Sequence, residues 1–401
     1  MYPPSFGSPR GEEWMVVRYV GLDVHRNWCQ VAEVDDRGEV VREVRLPMDP
    51  DVIASYARQH WGSDTHVLIE ATGNSHLVYE MLSPLVGKVL LADPNRLKVI
   101  SHAKVKTDKV DALMLAQLLR ANLVPEVWVA PAELRRLGHL AGHRIGLRRT
   151  ATAFKNRVHA VLRRNGTRLP VSDVFGRRGR ALLKREGSSL PEEDRLVVET
   201  SLNLLDAVER EIGQVEDAIA VRAQGLPEVG LLMSIPGVDV FSAVVILTEI
   251  GDITRFSSPK HLSSYAGLAP TVHASGDTVY TGHISKRGRK ALRWALIQAV
   301  LHAVRKPGRL RSFYLRLRPR KGTAVARVAA ARKLLTYIWS MLTAGEVYAD
   351  VDLTLHHKKE TALRRRVLRH SRRQTTMRTQ DIERGEHRET VASSAIPAGF
   401  P

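Results

Sequence analysis

The stretch Thr107-Asp108-Lys109-Val110-Asp111-Ala112 constrains this chain most, because it sets two carboxylates three residues apart where a helical pattern begins. Val110, Leu113, Met114, Gln117 and Leu118 recur at helical spacing between Lys109 and Asn122, so Asp108 and Asp111 share one helix face. Two upstream acids can converge on them. Asp23 closes the apolar run Tyr19-Val20-Gly21-Leu22, and Glu70 closes His66-Val67-Leu68-Ile69, each where a predicted strand ends. Four crowded carboxylates repel one another and move their pKa values upward unless cations neutralise them. The reading is a divalent metal site, and hard oxygen donors suit Mg²⁺ or Mn²⁺ better than zinc. Nearby His25 and His102 read instead as surface or phosphate-contacting groups, because no second histidine lies at ligand spacing.

The surrounding pattern gives these acids a frame. Three β-like runs, Tyr19 to Val24, Trp28 to Val34 and Val40 to Leu46, come first, the last two separated by the turn Asp35-Asp36-Arg37-Gly38. A helix over 51–60, a strand over 66–69, a helix over 75–85, a strand over 89–91 and the helix over 109–122 follow. The order β-β-β-α-β-α-β-α is that of the ribonuclease H-like fold, with the acids on its first strand, fourth strand and last helix. Any one of them alone would read as an ordinary strand-end or helix-surface group. Together they suit phosphodiester displacement, in which paired metals about 4 Å apart activate one oxygen and stabilise another.

Composition points the same way. The chain has 401 residues, 44% of them hydrophobic, enough for two or three domains with cores, and a formal net charge of +19. Such an excess serves a polyanionic partner, nucleic acid first. A single cysteine, Cys29, excludes an intramolecular disulfide and a cysteine-rich zinc site. Residues 1–17 read as a flexible, Pro/Gly/Ser-rich N-terminus without a signal-peptide core, and no apolar run approaches a membrane span. The expectation is a cytoplasmic, nucleoid-associated protein with no membrane partner.

Lys104 and Lys106 precede the paired carboxylates, within reach of a nucleic-acid backbone or of solvent alone. From Pro131 to Arg185 an apolar helical seam lies under a dense basic face that includes Arg144, Arg148, Arg149 and Arg157, suited to laying cations along phosphates. Between Glu192 and Ala223 the charge changes sign under a similar apolar repeat. That segment reads either as a helix returning antiparallel to the basic one or as a coiled-coil arm pairing with another subunit. The glycine-broken stretch from Asn165 to Leu190 reads as a linker or hairpin tip.

Further on, Ser234-Ile235-Pro236-Gly237-Val238 resembles a helix-hairpin-helix element, with Asp239 where a second glycine is usual. A purely structural helix pair is the other reading. A glycine-punctuated loop follows, with His273-Ala274-Ser275-Gly276 and then Gly282-His283-Ile284-Ser285-Lys286-Arg287-Gly288, leading into Ala291-Leu292-Arg293. Small neighbours let the Ser275 hydroxyl approach a phosphate, although in isolation Ser275 reads as a turn residue. His283, Lys286, Arg287 and Arg293 could stabilise phosphate charge. Beyond Tyr348 the arginine runs read as a basic, disordered tail with nonspecific nucleic-acid affinity.

At Gly21-Leu22-Asp23-Val24, Ile69-Glu70-Ala71-Thr72-Gly73 and Lys106 to Ala112 the chain resembles the insertion-sequence transposases that carry a RuvC-like, four-carboxylate (DEDD) N-terminal domain, a family described as RNA-guided recombinases. The Ser-Gly pair at 275–276 and Ser285-Lys286-Arg287-Gly288 resemble its C-terminal motif. The resemblance implies Asp23, Glu70, Asp108 and Asp111 as the acidic set and Ser275 as nucleophile. It also implies donor and target DNA and a guide RNA as partners, and a homo-oligomer, dimer or tetramer. The expected organisation is a RuvC-like domain over 18–128, a basic helical and coiled-coil region over 129–225, a mainly helical transposase domain over 226–345 and the tail over 346–401. Two alternatives stand beside a transposase: a RuvC-like Holliday-junction endonuclease using water, and a noncatalytic nucleic-acid-binding protein on a degenerate nuclease fold.

Overall fold

The computed structural model describes residues 17–100, 107–275, 278–285 and 288–394. The chain divides into two compact units between Val129 and Ala130. In the first, β1 (Arg18–Val24), β2 (Trp28–Val34), β3 (Val40–Pro47), α1 (Pro50–His60), β4 (Thr65–Glu70), α2 (Ser75–Leu82), β5 (Lys88–Ala92), α3 (Pro94–Ile100), α4 (Asp108–Arg120) and β6 (Glu126–Val127) follow in order. The predicted order is present, with α3 and β6 in addition. The sheet runs β3-β2-β1-β4-β5-β6; β1 pairs parallel with β4 and β4 with β5, and the other pairs are antiparallel.

Period-two alternation sorts the side chains of the central strands between two faces. Val20, Leu22, Val24, Val67 and Ile69 pack with Ile53 of α1 and Leu82 of α2. Leu68 turns the other way, to Leu115, Leu118 and Leu119 of α4. Gly21 also belongs to the α4 face, where a Cβ would lie 2.0 Å from the Ala112 carbonyl oxygen and 2.6 Å from the Ala116 nitrogen. Lacking a side chain there, β1 lets α4 rest directly on its backbone.

The second unit opens with α5 (Ala132–Arg164), α6 (Arg177–Glu186) and α7 (Glu192–Ala223). Ion pairs set α5 and α7 antiparallel: Arg144 meets Glu216, Arg148 and Lys155 meet Glu209, and Arg164 meets Asp194. The acidic segment therefore closes a hairpin within the chain, over a seam of Ala151, Leu205 and Ile212. Next come α8 (Pro227–Met233), α9 (Val240–Ile250), α10 (Pro259–Tyr265), β7 (Pro270–Ser275), β8 (Thr278–Ile284), α11 (Lys290–Ala303), α12 (Arg309–Ala344), which breaks at Gly322 with φ +78°, and α13 (Leu353–Ser394). Val244 and Ile246 of α9, Leu296 and Val300 of α11, and Leu334 and Ile338 of α12 build the core.

Two segments differ from the sequence reading. The glycine-punctuated loop contains an antiparallel hairpin, β7 with β8, in which Ser275 pairs with Thr278. Thr271, Val272, Thr278, Val279 and Thr281 supply the β-branched residues that strands favour. The tail expected to be disordered forms α13, and its physical reason is an anchor. Asp217 of α7 is wholly buried, and Arg366, Arg369 and Arg373 reach its carboxylate at 3.4, 3.8 and 3.4 Å. Lys359 Nζ donates to the carbonyls of Met233 and Ile235 at 2.7 and 2.6 Å. Burial pushes this ammonium down to about 8, against the pull of Asp239 and Asp352.

Candidate metal centre

Thr107 starts α4, its hydroxyl accepting from the Val110 amide at 3.4 Å, and Asp108 and Asp111 fall in the first turn. Negative charge is favourable at a helix N-terminus, so local chemistry already supports acids at these positions. The contact at Gly21 then brings that turn against the end of β1. Asp23 lies two residues after Gly21, hence on the α4 face, and is buried with 9% exposure. Glu70 lies two residues after Leu68 on the same face of the adjacent strand. The β1–β4 register pairs Leu22 with Ile69, so Asp23 and Glu70 each stand one step beyond a shared pair.

A histidine that the sequence suggests as a surface or phosphate-contacting group joins two of these acids. His25 Nε2 lies 3.1 Å from Asp23 Oδ2 and 3.5 Å from Asp108 Oδ1. Ligand atoms of Asp23, His25 and Asp108 all fall within 4.8 Å of one another. The signal that could have found His25 is its spacing: it follows Asp23 by two. Its ring packs on Trp28, centroids 3.9 Å apart, and the Arg45 guanidinium carbon sits 3.7 Å from the Trp28 ring centroid. Burial raises the Asp23 carboxyl above the usual range; His25 opposes the shift, while Asp111 and Asp108 push it further up. A divalent cation would relieve that repulsion, and the two carboxylates and one imidazole that come together here, Asp23, Asp108 and His25, make a donor set that suits one; Asp111 is close enough to raise the Asp23 carboxyl but, like Glu70, is not within that group.

The Asp23→Asn variant is therefore expected to keep or slightly raise its metal-free melting temperature, since a buried, crowded charge is removed. Millimolar Mn²⁺ should raise the melting temperature of the unmodified protein, by about 2.7 kcal/mol of stabilisation at 100 times Kd, and leave the variant unmoved. Differential scanning fluorimetry reads both.

The other expected site residues have varied surroundings. Arg144 is held by Glu216 at 2.6 Å and lies 3.9 Å from the Phe241 ring centroid, and Arg148 meets Glu209 at 3.0 Å, so both are engaged by acids of α7, which Arg366 and Lys155 share. Arg149 and Arg157 are exposed. Arg293 Nη1 donates to the Ala266 carbonyl at 2.9 Å, which fastens α11 to the turn after α10. His283 is exposed on β8. Ser275 ends β7; its side chain, with Lys104, Lys106, Lys286 and Arg287, lies outside the described residues.

A ribonuclease H-like sheet bearing an acidic centre between its first strand and a following helix defines the class of the first unit. Comparison with known proteins narrows it. The DEDD model of IS110 elements, described as "Transposase", matches residues 20–165, and a model described as "Transposase IS116/IS110/IS902 family" matches residues 229–315. The transposase for insertion sequence element IS1111A of Coxiella burnetii is 26% identical over 337 residues, 83% of this chain and 91% of that protein. The transposase for insertion sequence element IS1328 of Yersinia enterocolitica is 26% identical over 304 residues, 71% and 85% of the two chains. A pilin gene-inverting protein of Moraxella bovis is 37% identical over 116 residues, 28% of this chain and 36% of that one. Over these residues the chain is similar to IS110/IS116-family transposases, and its N-terminal part matches their DEDD transposase domain. Among the described residues, no helix is long and apolar enough to cross a membrane.

Proposed function

We propose that this chain cuts and rejoins DNA strands for a bacterial insertion sequence, with Asp23, Glu70, Asp108 and Asp111 holding Mg²⁺ or Mn²⁺ and Ser275 acting as nucleophile. The observation that supports the reading is the convergence of Asp23, His25 and Asp108 within 4.8 Å, with Glu70 on the same sheet face as Asp23 and Asp111 close enough to raise the Asp23 carboxyl. A bound divalent cation there supplies charge stabilisation for a phosphodiester in transfer. In the Ser275 step an Oγ–P bond forms as the P–O bond to the departing strand breaks. The hydroxyl proton passes to a base and the departing oxygen takes up a proton. Attack on the phosphoserine by the other strand's hydroxyl reverses the exchange and rejoins the DNA. Donor and target DNA are the substrates, a guide RNA from the element's noncoding flank directs them, and a dimer or tetramer assembles the site.

The test incubates the protein with Mg²⁺, labelled donor and target DNA and RNA from that flank, followed by denaturing separation. A covalent DNA–protein adduct is expected in the unmodified protein and absent from Ser275→Ala and Asp108→Ala. Cleavage without adduct that survives Ser275→Ala would overturn the nucleophile and leave a water-using nuclease.

A further inference from the structure

The hairpin between α8 and α9 has no part in the carboxylate chemistry, and its surroundings suggest a different use. Gly237, with φ +89°, lets it press on α11; a Cβ would lie 2.6 Å from the Ala299 carbonyl oxygen and 2.7 Å from His302 Cβ. A helix-hairpin-helix element usually offers a phosphate its backbone N–H groups, but this one is closed to that. Asp239 caps α9, its carboxylate accepting from the Ser242 amide at 2.8 Å, and would repel an anion there.

The hairpin itself forms one wall of a cleft of about 530 Å³, where Asp239 lies; side chains of α9, α11 and α13 and Arg144 of α5 line the rest. Trp294 opens into it with 42% of its surface exposed, unusual for so large an apolar ring. The Phe241 ring meets it edge-on at 6.4 Å. Gln298 and His302 follow Trp294 at single-turn spacing on α11, and Arg305 lies just past the helix end, so one stripe carries a ring, an amide, an imidazole and a guanidinium. Lys306 is held by Asp352 at 3.1 Å. Arg305 is exposed and pairs with no acid among the described residues.

We propose that this cleft binds one unpaired nucleotide of a single strand, the base stacked on Trp294 and the phosphate at His302 and Arg305. The volume fits a base and sugar. An exposed aromatic face beside an unpaired guanidinium suits an unstacked base and its phosphate, and a duplex keeps its base faces hidden. The cleft needs neither the carboxylates nor Ser275.

The experiment uses the full chain in EDTA at about 150 mM salt, where screening weakens diffuse contacts between exposed charges. Anisotropy is measured on fluorescein-labelled dT15, rU15 and a 15-base-pair duplex. Trp294→Ala is expected to weaken single-strand binding roughly tenfold and duplex binding less than about twofold, while Trp294→Phe retains most affinity because a ring remains to stack. Arg305→Ala should weaken single-strand binding and lower its salt slope by about 0.7. The tighter of dT15 and rU15 identifies the source of the strand. Photocrosslinking a 5-iodouracil-substituted strand should label the peptide containing Trp294. Unchanged single-strand binding in Trp294→Ala, equal loss on duplex, or crosslinks elsewhere only would each overturn the proposal. So would a Trp294→Ala protein that binds nucleic acid normally and loses self-association, which would make the cleft a protein surface.

Discussion

Gly21→Ala is expected to destabilise the first unit by about 3 kcal/mol, toward the upper end for an overpacked core, although alanine is among the smallest changes a protein can suffer. The added methyl would sit 2.0 Å from the Ala112 carbonyl oxygen and 2.6 Å from the Ala116 nitrogen, both backbone atoms of α4 that cannot swing aside like a side chain. Relief requires the helix to move off β1, and Asp108 and Asp111 move with it, away from Asp23. Urea unfolding of the full chain, with hydrogen exchange resolving the two units, should show the loss confined to residues before Ala130. The Mn²⁺-dependent rise in melting temperature should vanish even though every acid is intact. A variant with unchanged stability and metal response would mean that α4 does not rest on β1 as described.

The second large effect is an asymmetry around Asp217. Its side chain is wholly buried, whereas Arg366, Arg369 and Arg373 are 33%, 51% and 48% exposed. Removing the acid lets three guanidiniums turn to water, so Asp217→Ala should cost only about 1–2 kcal/mol. That is the ordinary cost of a point change or of lost hydrogen bonds to charge. Replacing all three arginines by alanine strands a buried carboxylate and should cost about 3–5 kcal/mol. Adding Asp217→Ala to the triple variant should restore part of that stability. Denaturant melts of the four proteins in this cycle check the sign; if Asp217→Ala is the costlier change, burial of the charge is not what the arginines offset.

The first unit was readable because its strands alternate cleanly and its acids stand at strand ends and in a capped first turn, features that span a few residues each. His25 is hard to read as a ligand from histidine spacing, which runs along the chain, because its partner Asp108 comes from α4. The α5–α7 hairpin was half visible: opposite charge on two apolar repeats is local, but which arginine meets which acid depends on antiparallel register. The tail is illegible for the same reason in stronger form. Runs such as Arg364-Arg365-Arg366 look unfoldable alone, and the group that neutralises Arg366 lies far upstream at Asp217. The β7–β8 hairpin hid behind its glycines, which suggested a loop although β-branched residues surround them.

That separation also has a meaning in time. Asp217 and Arg366 are 149 residues apart. At roughly 5–20 residues per second, synthesis of the acid precedes that of the arginine by about 7–30 s. Through that interval α7 has no cationic cover for this carboxylate and cannot bury it without loss. The hairpin of α5 and α7 can form first, since Arg144, Arg148, Lys155 and Arg164 are all made before the acids they meet. The nascent chain thus carries an open socket that its late-made helix fills, and the second unit locks only when that helix arrives.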